Sequence, residues 1–304
     1  MNNPLRRGLL ALLFAACACG GGVPAPDAPP PAHPRDAAEI AVKLVGGKAT
    51  VLVFADRVRG TSLAQKVAGL DVLRPLLDGT GIDPQRDVDR AFATMPSVGS
   101  GERVLGLEHS LPEARVRAAI DVIVAKSKPT GAWIDGAGVP AAVVTVQGER
   151  VVVAMATPTL LVVLPEARAR DAVRFAKSGG FPDPEGAEAA VATAVEPSTT
   201  LRAPRVPAIP KTIGAGRAVV TVAKDGGADI AVDAQSANPT QATADAEALT
   251  RSVDDATTVR VSILTMRVMA PIAFRAEADH VKADVHLAPA DLDRLIGLAS
   301  AFAP

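Results

Sequence analysis

The 304-residue chain contains no tyrosine, one tryptophan and seven phenylalanines, so aromatics make up only 3% of it. Stacking platforms for bases or sugars are therefore not expected. Two cysteines exclude a disulfide scaffold and a cysteine-rich metal cluster. Charge of one sign is also missing: 32 basic residues face 33 acidic ones, for a net charge of −1. A nucleic-acid partner would call for a basic stripe, and none is expected. No apolar run reaches the 18 or so residues that span a bilayer, so no transmembrane helix is expected. What is plentiful is core material. Hydrophobic residues make up 48% and charged residues 21%, which excludes wholesale disorder.

The first twenty residues read as an address. Arg6 and Arg7 precede the apolar stretch Leu9–Ala16, and small residues follow around Cys17 and Cys19. This is the three-part layout of a secretory signal peptide, too short for a stable membrane span. Phe14-Ala15-Ala16-Cys17 resembles a bacterial lipobox, in which a large apolar residue and two small ones precede the cysteine that is acylated. Phe14 stands where that family prefers leucine. The resemblance makes Cys17 the mature N-terminus and the lipid-bearing residue, with Cys19 as the alternative acceptor. Such lipoproteins carry several acyl chains on that cysteine, and stable anchoring requires more than one. Ordinary cleavage at the small-x-small Ala16-Cys17-Ala18 is the competing reading, and it would release a soluble periplasmic protein. Removal of residues 1–16 leaves 30 basic against 33 acidic residues, a net charge of −3. A body so slightly acidic adds no overall attraction to anionic lipid, so the anchor alone is expected to hold it.

Residues 17–36 form the anchor and a Pro/Gly-rich spacer, GGGVPAPDAPPPAHPRD from Gly20 onward. Such composition favours extended polyproline segments, and seventeen residues reach on the order of 50 Å.

The body reads as α+β, in two units of mostly antiparallel sheet with packed helices. Residues 37–196 form the larger unit, 197–216 a Pro-rich linker and 217–304 a smaller unit. Strands are expected at 48–56, 87–95 and 103–108. Ser110 and Glu113 then make a capping-box signal before a helix with Val116, Ile120, Ile123 and Val124 on one face. Three apolar runs without alternation, 141–146, 151–156 and 159–164, imply strands covered on both faces. A second helix is expected from Pro165 to Lys177. Leu111-Pro112-Glu113-Ala114-Arg115 recurs as Leu164-Pro165-Glu166-Ala167-Arg168, and more loosely as Ala288-Pro289-Ala290-Asp291. Each copy follows a strand and opens a helix, with proline and an acid in the first turn. In the smaller unit, Asp225-Gly226-Gly227 marks a hairpin. Asn238-Pro239-Thr240-Gln241 marks a helix start. Residues 257–269 are expected to be helical, and 272–287 a hairpin with one wet face.

Candidate chemistry is sparse. Gly136-x-Gly138 and Gly214-x-Gly216 lead into strands, whereas a phosphate loop leads into a helix. No G-x-S-x-G elbow exists. His109, His280 and His286 are the histidines available to an active site. His280 and His286 lie six residues apart on one strand face, a separation of about 20 Å that prevents a shared metal ion. Asp284 and His286 together supply only two ligands. Asp78, Asp83, Asp87 and Asp89 gather within one stretch, but their spacing does not fit an EF-hand. The expectation is no catalytic, cofactor or metal site.

Gly81-Ile82-Asp83-Pro84-Gln85-Arg86-Asp87-Val88-Asp89 resembles the GIDPxxDxD stretch of uncharacterised bacterial envelope lipoproteins, which share the order signal, spacer, strand, helix, motif and sheet. That resemblance implies an envelope location and an α+β body, and no activity. The expected function is a lipid-anchored, non-catalytic cell-envelope protein, at the outer membrane or a periplasmic face. Its partners would be membrane lipid, through acylated Cys17, and an envelope protein. A periplasmic carrier of an apolar ligand and a hydrolase-type enzyme are the alternatives. The interaction reading expects an exposed apolar patch, and the carrier a dry cavity beneath the valine-rich strands.

Overall fold

The computed structural model describes residues 36–68, 73–203, 206–261 and 264–301. The leader, Cys17, Cys19 and the spacer lie outside these residues.

The strands, in chain order, are β1 (Ala49–Phe54), β2 (Val88–Met95), β3 (Val104–His109), β4 (Ala132–Trp133), β5 (Ala141–Val146), β6 (Glu149–Thr157), β7 (Leu160–Pro165), β8 (Glu188–Val195), β9 (Ile213–Val222), β10 (Ala228–Ser236), β11 (Thr258–Val261), β12 (Leu264–Arg267), β13 (Arg275–Glu277) and β14 (His280–Leu287). The longer α-helices are α1 (Ala37–Val45), α2 (Glu113–Lys126), α3 (Pro239–Thr257) and α4 (Pro289–Ala301). Twelve strands form one antiparallel sheet in the order β13-β14-β10-β9-β8-β1-β2-β3-β7-β6-β5-β4. This is the expected α+β architecture. The Pro-rich segment 197–216 joins β8 to β9, which are neighbours in that same sheet.

The two halves of the sheet share a plan. In the first, β1, β2 and β3 run as a meander, α2 follows, and β7 returns to pair with β3. In the second, β8, β9 and β10 run as a meander, α3 follows, and β14 returns to pair with β10. The halves meet where their first strands pair, β1 against β8.

Register shows how the faces are filled. One row across the first half is Val51, Ala93, Leu105, Val163, Val153 and Ala142. Of these, Leu105, Val163, Val153 and Ala142 pack with Val116, Ile120 and Ile123 of α2. The next row, Leu52, Phe92, Gly106, Val162, Ala154 and Ala141, faces the other way. There it meets α1 and the segment Glu166–Lys177. Strands β6 and β7 are thus covered on both sides, which is why their apolar runs do not alternate. In the second half, Ala192, Ala218, Val232 and Ala283 pack under α3 and α4. Val51 pairs with Ala192, so α2, α3 and α4 share one side of the sheet. Among the described residues, the opposite side of β9, β10 and β14 carries no helix.

Several local expectations are met. Asn238 caps α3 by accepting from the Gln241 amide at 2.9 Å, with Pro239 as the first helical residue. The β9–β10 hairpin turns at Asp225-Gly226-Gly227, and the Asp225 carboxylate holds the Gly227 amide at 2.9 Å. Three expectations are corrected. Ser110 does not cap α2; Pro112 occupies that position, with no side-chain cap bond. Its backbone (φ −59°, ψ 143°) matches that of Pro165 (φ −54°, ψ 143°), so both full repeats turn alike. The segment after Pro165 is 3₁₀, kinked at Arg168, rather than α. Its apolar residues Ala169, Ala172 and Phe175 recur every third position, the period of a 3₁₀ helix. Residues 258–261 and 264–267 pair as a two-stranded ladder instead of continuing a helix. Adjacent β-branched Thr257, Thr258 and Val259 favour extended backbone there.

The single tryptophan sits at one edge. Trp133 of β4 donates from Nε1 to Asp121 Oδ1 at 2.8 Å, and the Arg117 guanidinium lies 4.9 Å from its ring centroid. In the middle of the sheet, Phe92 and Phe181 stack with centroids 5.3 Å apart. Gly106 makes room for them, since a Cβ there would lie 2.3 Å from Phe181 Cζ. Gly106→Val is expected to displace Phe181 and lower stability by about 1–3 kcal/mol, measured by denaturant unfolding.

Candidate functional site

The uncovered side of β9, β10, β13 and β14 gathers the polar groups. Strand alternation places His280, Lys282, Asp284 and His286 on one side of β14, while Val281, Ala283 and Leu287 point into the core. Opposite them, β10 offers Asp229 and Asp233. His286 donates from Nδ1 to Asp229 Oδ1 at 2.7 Å and from Nε2 to Asp225 Oδ2 at 3.1 Å. In the imidazolium form both ring nitrogens donate, one to each carboxylate. The Asp229 contact, reinforced by Asp225, holds the His286 pKa above the ordinary imidazole value. His280 Nδ1 lies 2.6 Å from Asp233 Oδ1. Asp284 bonds Arg275 at 2.8 Å rather than joining His286, and Lys282 bonds Glu277 at 2.7 Å. Further along, Arg217 pairs with buried Glu188. The face is a ladder of matched charges, suited to ionic and hydrogen-bonded contact.

His109 is elsewhere, buried at the end of β3, and its backbone amide donates to the Thr159 carbonyl at 2.9 Å. Its Nδ1 has no hydrogen-bond partner among the described residues. Burial pushes its pKa below the ordinary value, against the pull of Asp89. The three histidines are therefore not gathered at one place, and the bonds made by His280 and His286 run to aspartates.

The aspartates of the 78–90 stretch are structural anchors. Asp83 caps the turn Pro84–Asp87, accepting from the Gln85 amide at 3.0 Å. Asp87, 5% exposed, accepts from Arg86 at 2.9 Å and from the Asp83 amide at 2.9 Å, with Arg115 of α2 at 3.5 Å. The Arg86 contact holds the Asp87 carboxyl below its usual range despite burial. Arg59 donates to the Gln85 and Val88 carbonyls and to Asp89. Lys126 lies 3.7 Å from the Asp78 carboxylate. The motif thus ties α2 to the start of β2. Among the described residues, no group of three or more His, Cys, Asp or Glu is placed to hold a metal. Gly136 and Gly138 occupy a turn leading into β5, and Gly214 and Gly216 lie within β9.

Sequence reasoning missed Asp245 on the inner side of α3. It is buried and accepts from Ser236 and Thr212 hydroxyls (2.5 and 2.6 Å) and from Gln241 at 2.9 Å. Its placement among Ala242, Ala246 and Leu249 was the available signal.

The described residues show no broad apolar patch of large side chains; only Val173 and Val195 are exposed large hydrophobics. An open concavity lies over the first turns of α3, lined by Pro239, Thr240, Thr243, Ala244 and Glu247. The space beneath the valine-rich strands is occupied by Phe54, Phe92, Phe175 and Phe181. No helix among the described residues is long and apolar enough to cross a membrane. No protein-family model, curated protein or solved structure matches the chain.

Two titrations follow. His286 is expected to titrate above about 6.5 by NMR, with Asp229→Asn lowering its midpoint. His109 binds its proton less readily folded than unfolded, so its contribution destabilises as pH falls below about 6.5. His109→Leu should therefore lose less stability than the parent chain between pH about 7.5 and 5.5, read by denaturant unfolding at each pH.

Proposed function

We propose that this chain is a lipid-anchored protein of the bacterial cell envelope that works by contact rather than by turnover. The N-terminal order carries this reading: Arg6-Arg7, the apolar Leu9–Ala16, Phe14-Ala15-Ala16-Cys17 and then a Pro/Gly-rich spacer. Acylated Cys17 supplies the membrane partner. The spacer lets the anchored body reach a second envelope protein.

The arrangement of the polar groups supports a binding role. The imidazoles on the open face are committed to aspartates, and buried Asp87 and Asp245 are satisfied by neighbouring donors. The matched ladder on β10, β13 and β14 is a surface another protein can meet without stranding a charge, since its own partners neutralise it.

The test is the mass of the mature N-terminal peptide from the full chain expressed in a bacterium. It should begin at residue 17 and carry acyl chains. Cys17→Ala should abolish the added mass and release the protein from the membrane fraction, while Cys19→Ala should leave both unchanged. Cleavage after Ala18, or an unmodified Cys17 at the N-terminus, overturns the proposal.

A further inference from the structure

The exposed side of the 3₁₀ segment Glu166–Lys177 carries Arg170, Val173, Arg174 and Lys177. The three-residue period separates these residues from the row Ala169, Ala172 and Phe175, which turns into the core. Val173, at 45% exposure, is one of the two exposed large hydrophobics among the described residues, and it lies against Gly138. Arg170 and Lys177 have no ion-pair partner among the described residues.

The acids nearby are already engaged. Glu166 is held by both ends of the Arg150 guanidinium at 2.8 Å. Asp171 lies 2.9 Å from Arg174 and 4.0 Å from Arg168. On α1, Glu39 is paired with Lys43. The segment, Arg150 and Glu102, which lies 4.0 Å from Arg168, together hold five cations and three carboxylates, so the strip is locally basic on a body of net negative charge.

The tether enters beside this strip. Asp36 caps α1 by accepting from the Ala38 amide, and the Ala37 amide donates to the Gly180 carbonyl at 2.8 Å, three residues beyond Lys177. Thirty-five residues precede that point, and Cys17 lies among them. The N-terminal arm therefore joins the folded body on the side that bears α1 and the 3₁₀ segment.

We propose that this strip is a second membrane contact: Arg170, Arg174 and Lys177 seat on anionic lipid headgroups, with Val173 at the interface between them. The contact orients the body on its tether. It rests on the lipid-anchored reading above. Each basic residue brought to an anionic surface favours the docked form by a factor of about five. Loss of all three lowers the docked population on the order of a hundredfold.

The test uses the full mature protein reconstituted in vesicles, with hydrogen exchange followed by mass spectrometry. Vesicles of equal parts phosphatidylglycerol and phosphatidylcholine are compared with phosphatidylcholine alone. Amides of residues 166–180 should exchange about tenfold more slowly on the anionic vesicles. The slowing should vanish in Arg170→Gln/Arg174→Gln/Lys177→Gln, whose substituted side chains are solvent-facing, and persist in Lys282→Gln on β14, in the other half of the sheet. Equal rates on the two vesicles, or slowing that survives the triple substitution, overturn the contact. The N-terminal peptide from the same digest reports acylation of Cys17. A missing acyl mass counts against the anchor, whereas unslowed exchange on an acylated chain counts against the strip.

Discussion

The hydrogen-bond ladder between β1 and β8 is the constraint on which the architecture depends. These are the opening strands of two similarly wired halves, and their pairing turns two short sheets into one of twelve strands. The seam runs from Ala49–Ala194 to Val53–Ala190, with the Thr50 and Thr193 hydroxyls 2.6 Å apart across it. Such cross-strand threonine pairs add modestly to the main-chain bonds. On β8, Ala190 lies between Val53 and Val220, Ala192 between Val51 and Ala218, and Ala194 between Ala49 and Gly216, so the seam is filled by small residues. At its end, the Val195 amide donates to the Lys48 carbonyl at 2.8 Å, and Lys48 forms an ion pair with Glu196. Without this seam the two cores would have no shared scaffold.

The halves differ in what covers them. The first is sandwiched between α2 and the pair formed by α1 and the 3₁₀ segment, so β6 and β7 are almost entirely buried. The second has helices on one side only, and its other side is written in charge. This difference is set at the level of single strands. Leu160–Leu164 is continuously apolar, whereas β14 alternates His280, Lys282, Asp284 and His286 with Val281, Ala283 and Val285. The same topology thus yields a doubly covered slab and an open face.

Much of this was legible in residue patterns. The α+β class, the hairpin at Asp225-Gly226-Gly227, the Asn238 cap and the wet face of β14 follow from turn chemistry and from periods of two and 3.6. The 3₁₀ segment was also encoded, in the three-residue spacing of Ala169, Ala172 and Phe175, but an amphipathic stretch after proline reads first as α-helix. The ladder of 258–261 with 264–267 was hidden because its mixture of apolar and polar residues suits either reading, and the β-branched cluster at Thr257–Val259 favours the strand. The pairing of β8 with both β1 and β9 depends on contacts between distant parts of the chain, which no local pattern carries. The same holds for the polar clusters. Asp87 and Asp89 are visible as a motif, but their partners Arg115 and Arg59 come from a helix beyond the next strand and from a turn some thirty residues earlier.

The position of Trp133 has a practical consequence for following the protein in solution. With no tyrosine in the chain, ultraviolet emission comes from one indole on β4, a two-residue edge strand held to α2 through Asp121 and Arg117. A fluorescence trace therefore watches the opening of that edge and is blind to the β1–β8 seam and to the second core. An edge that frays before the rest of the sheet would shift the emission early, and its midpoint would describe β4 alone. Far-ultraviolet circular dichroism, which counts every strand, reports the whole.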